Sequence, residues 1–64
     1  MVTGLDELPK IGAPAVRALH NAGYTALGQL ADVPRKELAG LHGMGPRALL
    51  IIERALAEHG LGLS

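Results

Sequence analysis

Apolar residues recur at helical spacing in the last third of the chain. Leu49, Ile52 and Leu56, flanked by Ala48 and Ala55, line one face of a helix that the pattern extends from about Pro46 to His59. Pro46 suits the first helical position, where a missing N–H is no loss and φ is already set. Gly60 stops the helix, and Leu61 supplies the apolar contact that follows a glycine C-cap. The same spacing marks a shorter helix from about Ala13 to Ala22, closed by Gly23, with Val16, Leu19, Ala15 and Ala22 turned inward. Between the two, Thr25 is the candidate N-cap of a short helix through Leu27 and Leu30, and Pro34 opens another through Leu38 to about Leu41. Thr3 and Asp6 resemble a capping box, with Asp in place of Glu, ahead of a further short helix through Leu8. No period-2 apolar run is bounded by turn residues, so no strands are expected. The pattern predicts an all-α domain of about five short helices spanning residues 1–64.

The chain also resembles itself. Shifted by 33 residues, Leu8-Pro9-Lys10-Ile11-Gly12-Ala13-Pro14-Ala15-Val16 lies over Leu41-His42-Gly43-Met44-Gly45-Pro46-Arg47-Ala48-Leu49. Leu8/Leu41, Gly12/Gly45, Ala15/Ala48 and Ala22/Ala55 are identical, and Ile11/Met44, Val16/Leu49, Ala18/Ile51 and Leu19/Ile52 keep their apolar character. The shared order of Leu, an apolar residue, Gly and then Ala describes a tight turn feeding a helix. Gly12 and Gly45 are expected at positive φ, with Ile11 and Met44 turned back into the core as plugs. Pro14 falls one residue later in its unit than Pro46 does.

These residues carry a resemblance. The segment Leu41 to Ala48 closely resembles the Leu-x-Gly-apolar-Gly-x-x-Ala hairpin of helix-hairpin-helix proteins, and Ala22-Gly23-Tyr24-Thr25-Ala26-Leu27 looks like the link between tandem units. Order and spacing from Leu8 to Leu61 are similar to the C-terminal domain of the bacterial RNA polymerase alpha subunit. The resemblance implies two pseudo-symmetric units in a SAM-domain-like bundle: unit one about 3–23, connector 24–33 and unit two about 34–61. It further implies a non-catalytic domain that grips double-stranded DNA across the minor groove, one phosphate from each strand, with little sequence preference. The first hairpin departs from the pattern, with Lys10 in place of its first glycine and Pro14 in the opening turn. The alpha-subunit family uses an arginine at the Pro14 position; Pro14 has neither guanidinium nor amide, so promoter-element recognition is not implied.

Elementary chemistry gives the turns the same task. A helix N-terminus presents unpaired N–H groups and a partial positive charge, which is a seat for a phosphate. The donors expected in the second turn are the amides of Gly45, Arg47 and Ala48, with Gly43 completing the hairpin; in the first they are Gly12, Ala13 and Ala15. Arg47 and Arg54 fall seven residues apart on one helical face, and Arg17 takes the matching flank of the first unit. Lys10 supplies a charge where the pattern has a glycine. Each of these bases has a plainer reading as a solvated side chain that keeps a small domain soluble.

Composition limits the alternatives. A chain of 64 residues has room for one core and no second lobe to close over a substrate, so no enzyme, cofactor or small-molecule substrate is expected. Tyr24 is the only aromatic, read as a wedge between the units, so the core must be built from short aliphatic side chains. With no cysteine there is neither a disulfide framework nor a thiolate metal site. His20, His42 and His59 lack metal-ligand spacing and are read as surface or packing residues, with no metal expected. No apolar run reaches a membrane span and Met1-Val2-Thr3-Gly4 lacks the layout of a signal peptide, so the expectation is a cytoplasmic protein without a membrane partner.

Net charge is zero, whereas nucleic-acid-binding domains usually carry excess base. The charge is unevenly placed. Residues 8–21 and 41–54 hold Lys10, Arg17, Arg47 and Arg54 against Glu53, and the remainder holds Arg35 and Lys36 against Asp6, Glu7, Asp32, Glu37 and Glu58. The competing expectation is a protein-interaction module or homodimer on the same scaffold, because Leu50 and Ile51 fall off the stripe of Leu49, Ile52 and Leu56.

Overall fold

The structure, a computed structural model, describes residues 3–64; Met1 and Val2 lie outside the described residues. Helix α1 runs Ala13–Asn21, a 3₁₀ helix Leu27–Leu30, α2 Arg35–Ala39 and α3 Pro46–Ala57, with no strand among the described residues. The chain is therefore all-α, with three α-helices and one 3₁₀ helix where five short helices were expected.

The missing helix is the first. Around Leu5 and Asp6 the chain makes only a turn, closed by Glu7 N–H donating to the Gly4 carbonyl at 3.2 Å. Pro9 disfavours helical backbone at Leu8 and offers no N–H of its own. The Leu5 and Glu7 carbonyls instead accept from Gly28 and Leu27, both at 2.9 Å, which docks this segment on the 3₁₀ helix. The His59 ring donates from Nε2 to the Thr3 carbonyl at 2.6 Å, tying the same segment to the C-terminal end of α3. Capping also runs opposite to expectation at Thr25. Gln29 reaches back, its Oε1 accepting from the amides of Thr25 at 2.6 Å and Ala26 at 3.0 Å, so Thr25 is capped and does not cap.

Helices α1 and α3 begin and end alike. Each has a glycine N-cap, Gly12 or Gly45, and a proline in its first turn. Each ends on a glycine at positive φ. Tyr24 and Gly23 donate to Leu19 and His20 at 2.8 and 3.0 Å, while Leu61 and Gly60 donate to Leu56 and Ala57 at 2.9 and 3.0 Å. These are the paired carbonyl-satisfying bonds of a Schellman C-cap. The offset between the halves is 33 at the N-caps but 37 at the terminal glycines, Gly23 and Gly60, so α3 is longer by about one turn. That extra turn corrects the inward face of α1: Ala22 matches buried Ala55 by offset, yet it is the exposed C-cap of α1. Ala18 is buried in its place, and Val16 is half-buried.

The core is short and aliphatic. Leu19, Leu27, Leu30, Leu38, Ile52 and Leu56 are fully buried, joined by Ala15, Ala48, Leu49, Ala55 and the plug Met44. Ile11 and Tyr24 pack partly buried against the cluster. Burying a side chain of the Leu or Ile class contributes about 1.5–3 kcal/mol, so Leu27 and Leu30 of the 3₁₀ helix and Leu38 of α2 matter as much as the two longer helices. The tail closes over the connector: Asp32 N–H donates to the Gly62 carbonyl, Ser64 N–H to Val33 and Arg35 N–H to Ser64, at 2.9–3.0 Å. Asp32, at φ +64, makes the bend between the 3₁₀ helix and α2. Arg35 at the start of α2 pairs its Nε with Glu53 Oε1 of α3 at 2.9 Å.

The two glycine turns differ from the symmetrical expectation. Gly12 is at φ +92 as expected, but Gly45 is extended at φ −97, and the left-handed residue of the second turn is Gly43 at φ +97. The reason is a close approach. A Cβ on Gly43 would lie 2.9 Å from the Pro14 carbonyl oxygen, whereas a Cβ on Gly45 would meet nothing within 4 Å. Gly43→Ala combines strain with a backbone clash and is expected to cost about 2 kcal/mol or more, and Gly45→Ala under about 1 kcal/mol. Urea denaturation of the two variants checks this; equal losses would show that the seat on Pro14 does not constrain the fold.

Candidate nucleic-acid interface

The donor-bearing ends of α1 and α3 follow from their caps. Because both N-caps are glycines, neither helix has a side-chain cap, and neither has an acidic residue in its first turn. The first helical bonds are Val16 N–H to Gly12 and Leu49 N–H to Gly45, at 3.1 and 3.2 Å. The earlier amides, Ala13 and Ala15 in α1 and Arg47 and Ala48 in α3, thus have no acceptor within their helices. Pro14 and Pro46 have no N–H to offer. Ala15 and Ala48 are buried in the core cluster, so their methyls pack inward at the two helix starts.

The seat of Gly43 on Pro14 brings the second turn against the first turn of α1. From there a groove runs along α1. Pro14, Arg17, Ala18, Asn21 and Ala22 recur at helical spacing and face Leu41, His42 and Gly43. Of the residues singled out in the sequence, the structure gathers Gly43, Arg17 and the start of α1 at this groove. Lys10, Ala13 and Gly12 are exposed around the first turn, and Gly45 is half-buried at the start of α3. Arg47 is exposed on the first turn of α3, whereas Arg54 lies about 10 Å further along the helix axis, away from the glycine turn.

Two side chains that the sequence did not single out for binding line this groove. His42 faces Asn21 and Arg17. Nothing linear marks His42, since the matching position of the first half is a buried proline, Pro9. Among the described residues the only ion pair joins Arg35 to Glu53, so Lys10, Arg17, Arg47 and Arg54 carry charges that no carboxylate pairs. The one acid within the base-rich stretches is thereby neutralised from α2. Among the described residues there is also no cluster of three or more His, Asp or Glu side chains able to hold a metal ion, and no helix long and apolar enough to cross a membrane.

On the outer face of α3, Leu50 is 49% exposed and Ile51 is half-buried, so the pair is not equally free of the core. Comparison with protein families, with characterised proteins and with solved structures finds no match to this chain. Leu50→Gln is expected to change stability by about 0.5 kcal/mol or less, and Ile51→Gln by about 1 kcal/mol. Thermal melts of the single variants check the difference; equally small losses would place both residues at the surface, and equally large ones both in the core.

Proposed function

We propose that the domain is a non-catalytic binder of double-stranded DNA, built as two helix-hairpin-helix units in a SAM-like bundle and gripping the phosphate backbone through its glycine turns. The observation that carries this reading is the pair of helix starts left without capping side chains or acids, with unpaired bases around them. Amide donors and a helix dipole bind a phosphate without reading bases, so little sequence preference accompanies such a grip. Arg47 adds a mobile cation beside the α3 seat, and Arg17 and Lys10 do the same near α1. Arg54 contributes only long-range attraction, given its distance from the turn.

A second reading, a protein-interaction module or homodimer using Leu50 and Ile51, rests on the exposure of Leu50 alone. Sedimentation of the Leu50→Gln protein separates it from the first, since only an interface on α3 would lose association without losing DNA.

Duplex DNA is expected to bind with dissociation constants of about 10⁻⁴ to 10⁻⁶ M at physiological salt. With about four phosphates neutralised, log K should fall against log salt with a slope near −3 to −4. Arg47→Glu should weaken binding and leave the thermal melt unchanged. Absence of binding at low salt would end the DNA reading, and unchanged affinity in Arg47→Glu would remove the start of α3 from the contact.

A further inference from the structure

We infer that the groove between α1 and the second glycine turn is a phosphate seat whose affinity is set by protonation of His42. The inference deepens the DNA-binding reading and rests on it for the source of the phosphate. Three residues whose side chains carry donors line this groove: Arg17 with its guanidinium, Asn21 with its amide and His42 with its ring. Among the described residues none of the three makes a hydrogen bond or ion pair with the rest of the protein. No carboxylate among the described residues lines the groove from either element, and Arg17 is the one lining residue with a fixed charge. A hollow of about 300 Å³ over Pro14 and Ala18 is wide enough for a phosphate group, and no carboxylate lines it.

An anion held between Arg17 and His42 is attracted more strongly when the ring is charged, and imidazole changes charge within the physiological range. Linkage makes the effect reciprocal: a proton on His42 raises phosphate affinity by the same factor by which phosphate raises the ring's proton affinity. Affinity therefore rises as pH falls. His20, exposed at the end of α1, and His59, engaged with Thr3, lie outside the groove.

The test measures duplex affinity at constant ionic strength at pH 7.5 and 5.5 for wild type, His42→Gln and His20→Gln, with circular dichroism confirming the fold at both values. Wild type and His20→Gln should bind about five- to tenfold tighter at pH 5.5, and His42→Gln less than about twofold tighter. NMR titration of the His42 ring should show its pKa raised by duplex and by inorganic phosphate. A full pH effect in His42→Gln, or duplex binding that leaves the ring's titration unmoved, overturns the seat while leaving DNA binding intact. A ring that responds to inorganic phosphate in a protein that binds no duplex supports the seat and overturns the DNA reading instead.

Discussion

Two stretches of backbone meet where Gly43 rests on the Pro14 carbonyl, and the rest of the molecule is arranged around that meeting. A side chain at residue 43 would put a carbon 2.9 Å from the Pro14 oxygen, and φ +97 is a conformation that side chains resist, so glycine is required twice over. With this seat made, Met44 can turn into the core immediately after it, Pro46 can start α3, and His42 is left standing across from Arg17. A core with no Phe or Trp is workable because the elements approach near enough for short aliphatic side chains to touch.

The seat also breaks the internal symmetry. At the 33-residue offset the partners of Gly43 and Pro14 are Lys10 and Arg47. One pairing is a neutral contact of bare backbone. The equivalent positions in the other carry two exposed bases. The left-handed residue accordingly sits at Gly12 in the first turn and at Gly43 in the second, although the aligned glycine of the second turn is Gly45. Sequence similarity between the halves thus reports shared helix starts and not a shared turn conformation. The four-residue drift to the terminal glycines adds a turn to α3, which is why α3 carries the larger share of the buried stripe.

Periodicity and punctuation made the longer helices legible. Pro46, the spacing of Leu49, Ile52 and Leu56, and Gly60 with Leu61 were sufficient for α3 and its C-cap, and Gly23 was sufficient for the end of α1. What stayed hidden depends on contacts between segments distant in sequence. Leu5 and Glu7 give their carbonyls to the 3₁₀ helix rather than to a helix of their own, and Gln29, not Thr25, supplies the cap. For the interface, the exposed bases and the glycine N-caps could be read directly. His42 and Asn21 could not, because their relation exists only once the second turn lies across α1.

The chain is neutral overall, and two of its six acids are held or placed away from the start of α3. Glu53 is held by Arg35 from the neighbouring helix. Glu58 follows α3 at its far end, and the segment bearing Asp6 and Glu7 is tied by Thr3 to His59 at that same end. Helix α3 is about 18 Å long, well beyond a Debye length of about 8 Å at physiological salt, so Glu58 is largely screened from an anion at the start of that helix. Under the proposed function, the groups that would meet a phosphate at the turns are a few unpaired bases and the helix-start amides. Such a site holds a phosphate backbone weakly and by geometry, which makes the placement of Gly43 as decisive for binding as any single charge.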